Sequence, residues 1–228
     1  MSEWWGYRPS SFLLFSERTY RRLFERYNAE LWPGHLLALA LGVGLLVLVL
    51  RGGTAALRVA LAILAGAWLW TASAFLAERY VSINWAAGDF VVAFALEAVG
   101  LLVAAVVGAS RTVAASRSGR AIGVGLLGIA LAGWPALALL PRRSSAAVEV
   151  FGLAPDPTVL ATFGVLALLR LHGGVRARWL QRVLLGVLWI VPLAWCAFST
   201  TLLWAMRAPE AALLPLGAGL ALVAARRD

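Results

Sequence analysis

The sequence has no lysine, a single cysteine and only 11 acidic residues among 228. One cysteine, Cys196, excludes an intrachain disulfide and any cysteine metal cluster. Without lysine, the whole basic excess, a net charge of +9, is carried by arginine, a usage that suggests a GC-rich bacterial genome. There is no nucleotide P-loop, no HExxH metal motif and no GxSxG nucleophile elbow. Only two histidines are available, so a Ser/His/Asp set has little to build on. Nothing in the chain supports catalysis.

What the chain does have is apolar surface. Hydrophobic residues make up 62% and the mean hydropathy is +0.84, well above the roughly 45–50% apolar share of soluble domains. This is the composition of a membrane protein. A spanning helix needs about 20 mostly apolar residues. Seven candidates follow, near 33–50, 55–77, 86–109, 120–140, 158–172, 180–205 and 210–225, the fifth and seventh short. The expected fold is therefore all-α, a polytopic transmembrane bundle spanning 32–228, preceded by an N-terminal segment, 1–31, that lies on the membrane. No apolar stretch precedes residue 31, so no secretory signal is expected there. The arginines fall in short segments between the apolar runs, where they orient helices in a bilayer and do not form a nucleic-acid footprint.

Within the first segment, Tyr20, Leu23, Phe24, Tyr27 and Leu31 recur at helical spacing while Arg18, Arg22 and Arg26 fall largely elsewhere, with Ser16 placed to cap. Such a helix suits the headgroup region, with rings buried and arginines toward lipid phosphates; a protein-docking helix and a lid are the other readings. Trp4, Trp5, Trp32, Trp85 and Trp204 sit near expected helix ends, as an aromatic belt does. Trp68, Trp70, Trp134, Trp189 and Trp195 lie deeper, where packing between helices is expected. With the first 31 residues set aside, eleven arginines, Arg51 and Arg58 through Arg226 and Arg227, share one side against four on the other. The positive-inside rule then puts the N-terminus outside and the C-terminus in the cytoplasm of a bacterial inner membrane.

Glu97 falls near mid-membrane, where a charge costs about 2.5–3.5 kcal/mol on insertion scales. It reads either as a structural hydrogen-bonding residue or as a proton, cation or solute site. Asp89 is eight residues earlier, about 80° around the helix and about 12 Å nearer the outer surface; it reads as an ordinary interfacial acid, or with Glu97 could line one widening cavity. Arg58 lies about 12 Å from that level and snorkels to the inner headgroups. Pro135, Pro192 and Pro215 fall near the middles of three expected helices, where kinks expose carbonyls, and Thr200 after Pro192 could line a polar path. Ahead of the fifth helix, Ala154-Pro-Asp-Pro-Thr158 forms a stiff turn with Thr158 as the expected cap; with Asn84, Asp156 and Thr158 could wall an outward pocket. Paired axial histidines would suggest haem, but His35 and His172 are expected at opposite membrane faces, which argues against an intrachain bis-His haem. No other cofactor is indicated.

Phe24-Glu-Arg-Tyr-Asn28 followed by Trp32-Pro33, then Ile83-Asn84 with Ala86-Ala87, then Ala154-Pro-Asp-Pro-Thr158 resemble a bacterial membrane family of unknown function, DUF6064, over about residues 12–225. The resemblance implies a polytopic membrane fold and adds no catalytic residue. Three functional readings remain open: a small-solute or ion transporter or solute-binding protein with a polar site near Glu97, a non-catalytic subunit or assembly factor docked to partners in a larger membrane complex, and, third, a membrane-embedded enzyme.

Overall fold

A computed structural model describes residues 15–107, 109–111, 117–140, 143–171 and 178–226. Trp4, Trp5, His172 and Arg176 lie outside them. The first helix, α1, spans Glu17–Leu31, capped by Ser16, whose Oγ accepts the Thr19 amide at 3.2 Å. Glu17 in its first turn suits the helix dipole and pairs with Arg21 one turn on. Next come α2 (Gly34–Arg51) and α3 (Thr54–Trp70), joined through Gly52 and Gly53 at φ 70° and 87°, a left-handed turn that glycine adopts without strain. A π-helical segment, Thr71–Ala77, continues α3, and α4 spans Ala87–Val107. Further on are α5 (Arg117–Gly128), α6 (Pro155–Leu168), α7 (Arg178–Ala205) and α8 (Leu213–Arg226). Short strands β1 (Ala109–Arg111) and β2 (Leu169–Leu171) pair antiparallel and tie the ends of α4 and α6 together.

Among the described residues, six helical stretches are long and apolar enough to cross a membrane; Pro155–Leu168 is apolar but only 14 residues long. The fold is therefore the expected all-α bundle, with six long spans and a short helix in the place of the fifth. That short helix has no exposed face: every residue from Pro155 to Leu168 is buried. Elsewhere the outward surface is hydrocarbon, as at Leu37, Val92, Leu96, Val106 and Ile190, each more than half exposed. An aqueous protein does not present apolar area on that scale, whereas lipid tails accept it. The chain is a multi-pass membrane protein by this pattern.

Close approach to α6 depends on missing side chains. A Cβ on Gly164 would lie 2.7 Å from the Gly123 carbonyl, and one on Gly123 would lie 2.9 Å from the Gly164 carbonyl. The backbones of α5 and α6 thus touch, as small residues allow in membrane helices.

Three local expectations are corrected. The fifth helix begins at Pro155, not at 158, because proline is favoured in the first turn, where no amide donor is needed. Pro215 lies in the first turn of α8 and breaks nothing there. Pro135 is preceded by a π-helical segment, Ile129–Gly133, so the widened turn lies directly before the proline. Pro192 alone is interior to a continuous α-helix, α7.

Candidate functional site

One end of the bundle carries Trp32, Trp85 and Trp204, all exposed; the other carries the β1–β2 pair and exposed Trp179. Polar side chains gather beneath the tryptophan end. Asp156, in the first turn of α6 and 1% exposed, accepts hydrogen bonds from Trp195 Nε1 at 2.7 Å and Ser199 Oγ at 2.8 Å, both from α7. Each carboxylate oxygen thereby has a donor, which offsets the cost of burial. Four residues separate Trp195 from Ser199, so both reach Asp156 from one face of α7.

Thr158 does not cap. Its hydroxyl donates to the Ala154 carbonyl at 2.7 Å and accepts the Gly152 amide at 2.9 Å, binding the turn to the helix it precedes. Thr162 repeats the back-bond to Thr158 and accepts from Trp68 Nε1 at 2.8 Å. Asn84 Oδ1 accepts the Ala86 amide at 3.0 Å and so closes the turn into α4. Asp156 therefore faces α7, while Thr158 and Asn84 are engaged with their own local backbone.

Two further acids lie at the same end. Glu149 accepts from Trp134 Nε1 at 3.2 Å, and Glu210 forms an ion pair with Arg143 in which both side chains are largely buried. Burial, then the neighbouring carboxyls of Asp156 and Glu210, raises Glu149 well above the usual carboxylate range. Tyr20 of α1 is raised by burial and by the same carboxyls, chiefly Glu149.

The aromatic face of α1 is not presented to headgroups, as the sequence suggested. Tyr20, Phe24 and Tyr27 are buried against the protein, with Phe24 stacked on Phe75 at 4.7 Å and Tyr27 beside it at 5.4 Å. The π-helical segment after α3 supplies the ring they meet. Arg18, Arg22, Arg26 and Trp32 are exposed on the opposite side. Asn28 fastens the helix from below: its Nδ2 donates to the carbonyls of Ala146 and Val148, both at 2.8 Å.

Glu97 is set apart from that cluster. It lies at the middle of the 21-residue α4, is 2% exposed, and its Oε1 has no hydrogen-bond partner among the described residues. Phe94, one turn earlier on the same face, packs on Trp68 at 4.3 Å and on Trp195 at 5.0 Å. Asp89 is exposed, so the two acids of α4 do not share an interior cavity. Pro192 is buried and, lacking an amide hydrogen, leaves the Leu188 carbonyl without its helical donor. Leu188 lies against α4, since a Cβ on Gly100 would meet its side chain at 3.0 Å. Thr200 is half-buried, 4.0 Å from Cys196 Sγ. No group of three or more metal-ligating side chains occurs among the described residues.

Sequence reasoning missed Glu149, Glu210 and Arg143, and placed Trp195 as packing helices or lining a cavity, without its hydrogen bond to Asp156. A carboxylate or arginine beside a helix end looks solvated in sequence, and only long-range contacts show which is enclosed. Residues 17–228 match the family of unknown function DUF6064. No curated protein and no solved structure matches the chain.

Proposed function

The chain belongs to DUF6064, a family of unknown function, and from its residues we propose that it moves a proton or small cation, alone or with a solute, across the bilayer through Glu97. The supporting observation is a contrast within one molecule. Asp156, a structural buried acid, has a donor on each oxygen. Glu97 is buried as deeply, yet its Oε1 has none among the described residues. Leaving a buried polar atom unpaired costs about 1–3 kcal/mol, and a side chain kept only for packing would not carry that cost. Ionisable groups inside membranes mark ion and proton pathways.

The surroundings favour the same reading. Pro192 removes the helical donor to the Leu188 carbonyl, and the Leu188 side chain packs beside Gly100, less than one turn from Glu97. Acid oxygens and carbonyls that have lost a helical donor are groups for which a proton or small cation exchanges its water.

The test is reconstitution in vesicles holding a pH-sensitive dye, with an imposed potential driving flux, and a sodium or potassium gradient as the second arm. Wild-type protein should carry flux above protein-free vesicles. Glu97→Gln, which keeps shape and removes the titrating group, should lower it at least tenfold while helicity and monodispersity stay unchanged. Equal flux through wild type and variant would sink the proposal, as would wild-type flux no greater than that of empty vesicles.

A further inference from the structure

A second polar atom lacks a partner at the tryptophan end, well away from mid-membrane, and there the hydrogen-bond geometry specifies what is missing. His35, the second residue of α2 and 8% exposed, pairs through Nε2 with Asn28 Oδ1 at 3.1 Å. The orientation of Asn28 is fixed independently, because its Nδ2 donates to the carbonyls of Ala146 and Val148. Its other terminal atom must be the oxygen, an acceptor. Nε2 of His35 therefore carries the hydrogen, and in the neutral ring Nδ1 is a bare acceptor. Nδ1 is buried with no hydrogen-bond partner among the described residues. Fitting the site requires a donor.

His35 and Asn28 line a cleft of about 460 Å³ between the start of α2 and the 145–150 segment. Its polar groups, Glu25, Asn28, His35 and Ser145, stand beside exposed Trp32, while Leu36, Leu39 and Val150 provide apolar wall; the Glu25 carboxylate, like His35 Nδ1, accepts from a donor. Along α2, Leu39 is about 6 Å further into the bundle than His35. Polarity at the tryptophan belt and hydrocarbon beneath it is the profile of an amphiphile lying in a leaflet. We infer that this cleft binds a membrane-soluble amphiphile whose head carries a hydroxyl that donates to His35 Nδ1 and whose tail runs along Leu36 and Leu39. The two membrane sources of such a head are a glycerolipid with a free hydroxyl and a quinol.

Two matched probe pairs test this on the full chain in lipid nanodiscs by titration calorimetry. The first is dioctanoylglycerol against its O-acetylated form, and the second is decylhydroquinone against decylquinone. In each pair only one member can donate. At least one hydroxyl form should bind about tenfold tighter than its capped or oxidised partner, the gain expected from satisfying one buried acceptor. Which pair shows the larger ratio identifies the source. His35→Phe, which keeps a ring in place, should bring that ratio to about one. Equal affinities within both pairs on wild-type protein, no saturable binding of any probe, or a ratio that survives in a folded His35→Phe protein would each overturn the inference. The wild-type comparison stands even if the variant does not fold, and none of these readouts involves Glu97.

Discussion

Asp156 shows how far a single side chain can depend on residues distant in sequence, since its donors are 39 and 43 positions away. Ser199→Ala should therefore destabilise the folded protein by about 1–3 kcal/mol, the cost of leaving a buried acceptor short of a donor. Trp195→Phe should cost at least as much, because it also disturbs the ring contacts with Phe90, Phe94 and Phe198. Denaturant unfolding in detergent, followed by helicity, measures both. Glu149 gives a pH signature of opposite sense to that of a salt-bridged acid. Its raised affinity for protons in the folded state means that the folded chain holds a proton that the unfolded chain has released. That contribution is full below the ordinary glutamate value, about 4.3, and is lost as pH rises through the raised one. Stability should fall across that window, and Glu149→Gln should flatten the fall. An unfolding midpoint with the same pH slope in both proteins would contradict this.

Among elements, helix positions were legible in the sequence and helix neighbours were not. Runs of apolar residues mark α2, α4, α7 and α8, and α3 and α5 taken with the helical turns that continue them, to within about five residues, since length and hydropathy are local properties. Hydropathy cannot distinguish a lipid neighbour from a protein one, however. For that reason α6 looked like a short span and is an enclosed one, and the rings of α1 looked membrane-bound and meet Phe75. The site was legible in part: Glu97 and Asp156 stand out as acids in apolar surroundings, whereas the donors to Asp156 depend on tertiary contacts. The α5–α6 contact is testable by substitution. Gly164→Ala would set a methyl 2.7 Å from a backbone oxygen, so it should cost about 1–3 kcal/mol or more, like other overpacked cores. Gly125→Ala, in the same region of α5 with nothing within 4 Å, should be neutral or stabilising by up to about 1 kcal/mol. Thermal unfolding of the pair separates contact from helix propensity.

For the whole molecule, the six long spans and the shorter α6 run in succession between the two ends of the bundle, which leaves α1 at one end and the end of α8 at the other. The lone native cysteine, Cys196, is buried, so new cysteines report cleanly. Arg22→Cys and Arg226→Cys should label with a membrane-impermeant thiol reagent from opposite sides of sealed vesicles. Labelling of both from one side would require α6 to turn back without crossing. The burial of α6 on every face bears also on how the protein is made. A helix that enters a bilayer by itself needs a surface that lipid can wet and enough length to reach both headgroup layers; α6 has 14 residues and touches only its own chain. Its stable position is therefore defined by α5, α7 and α8, two of which are synthesised after it. During synthesis α6 must wait for its own walls, so a chain truncated before α7 should leave this segment unprotected and be cleared by membrane proteases.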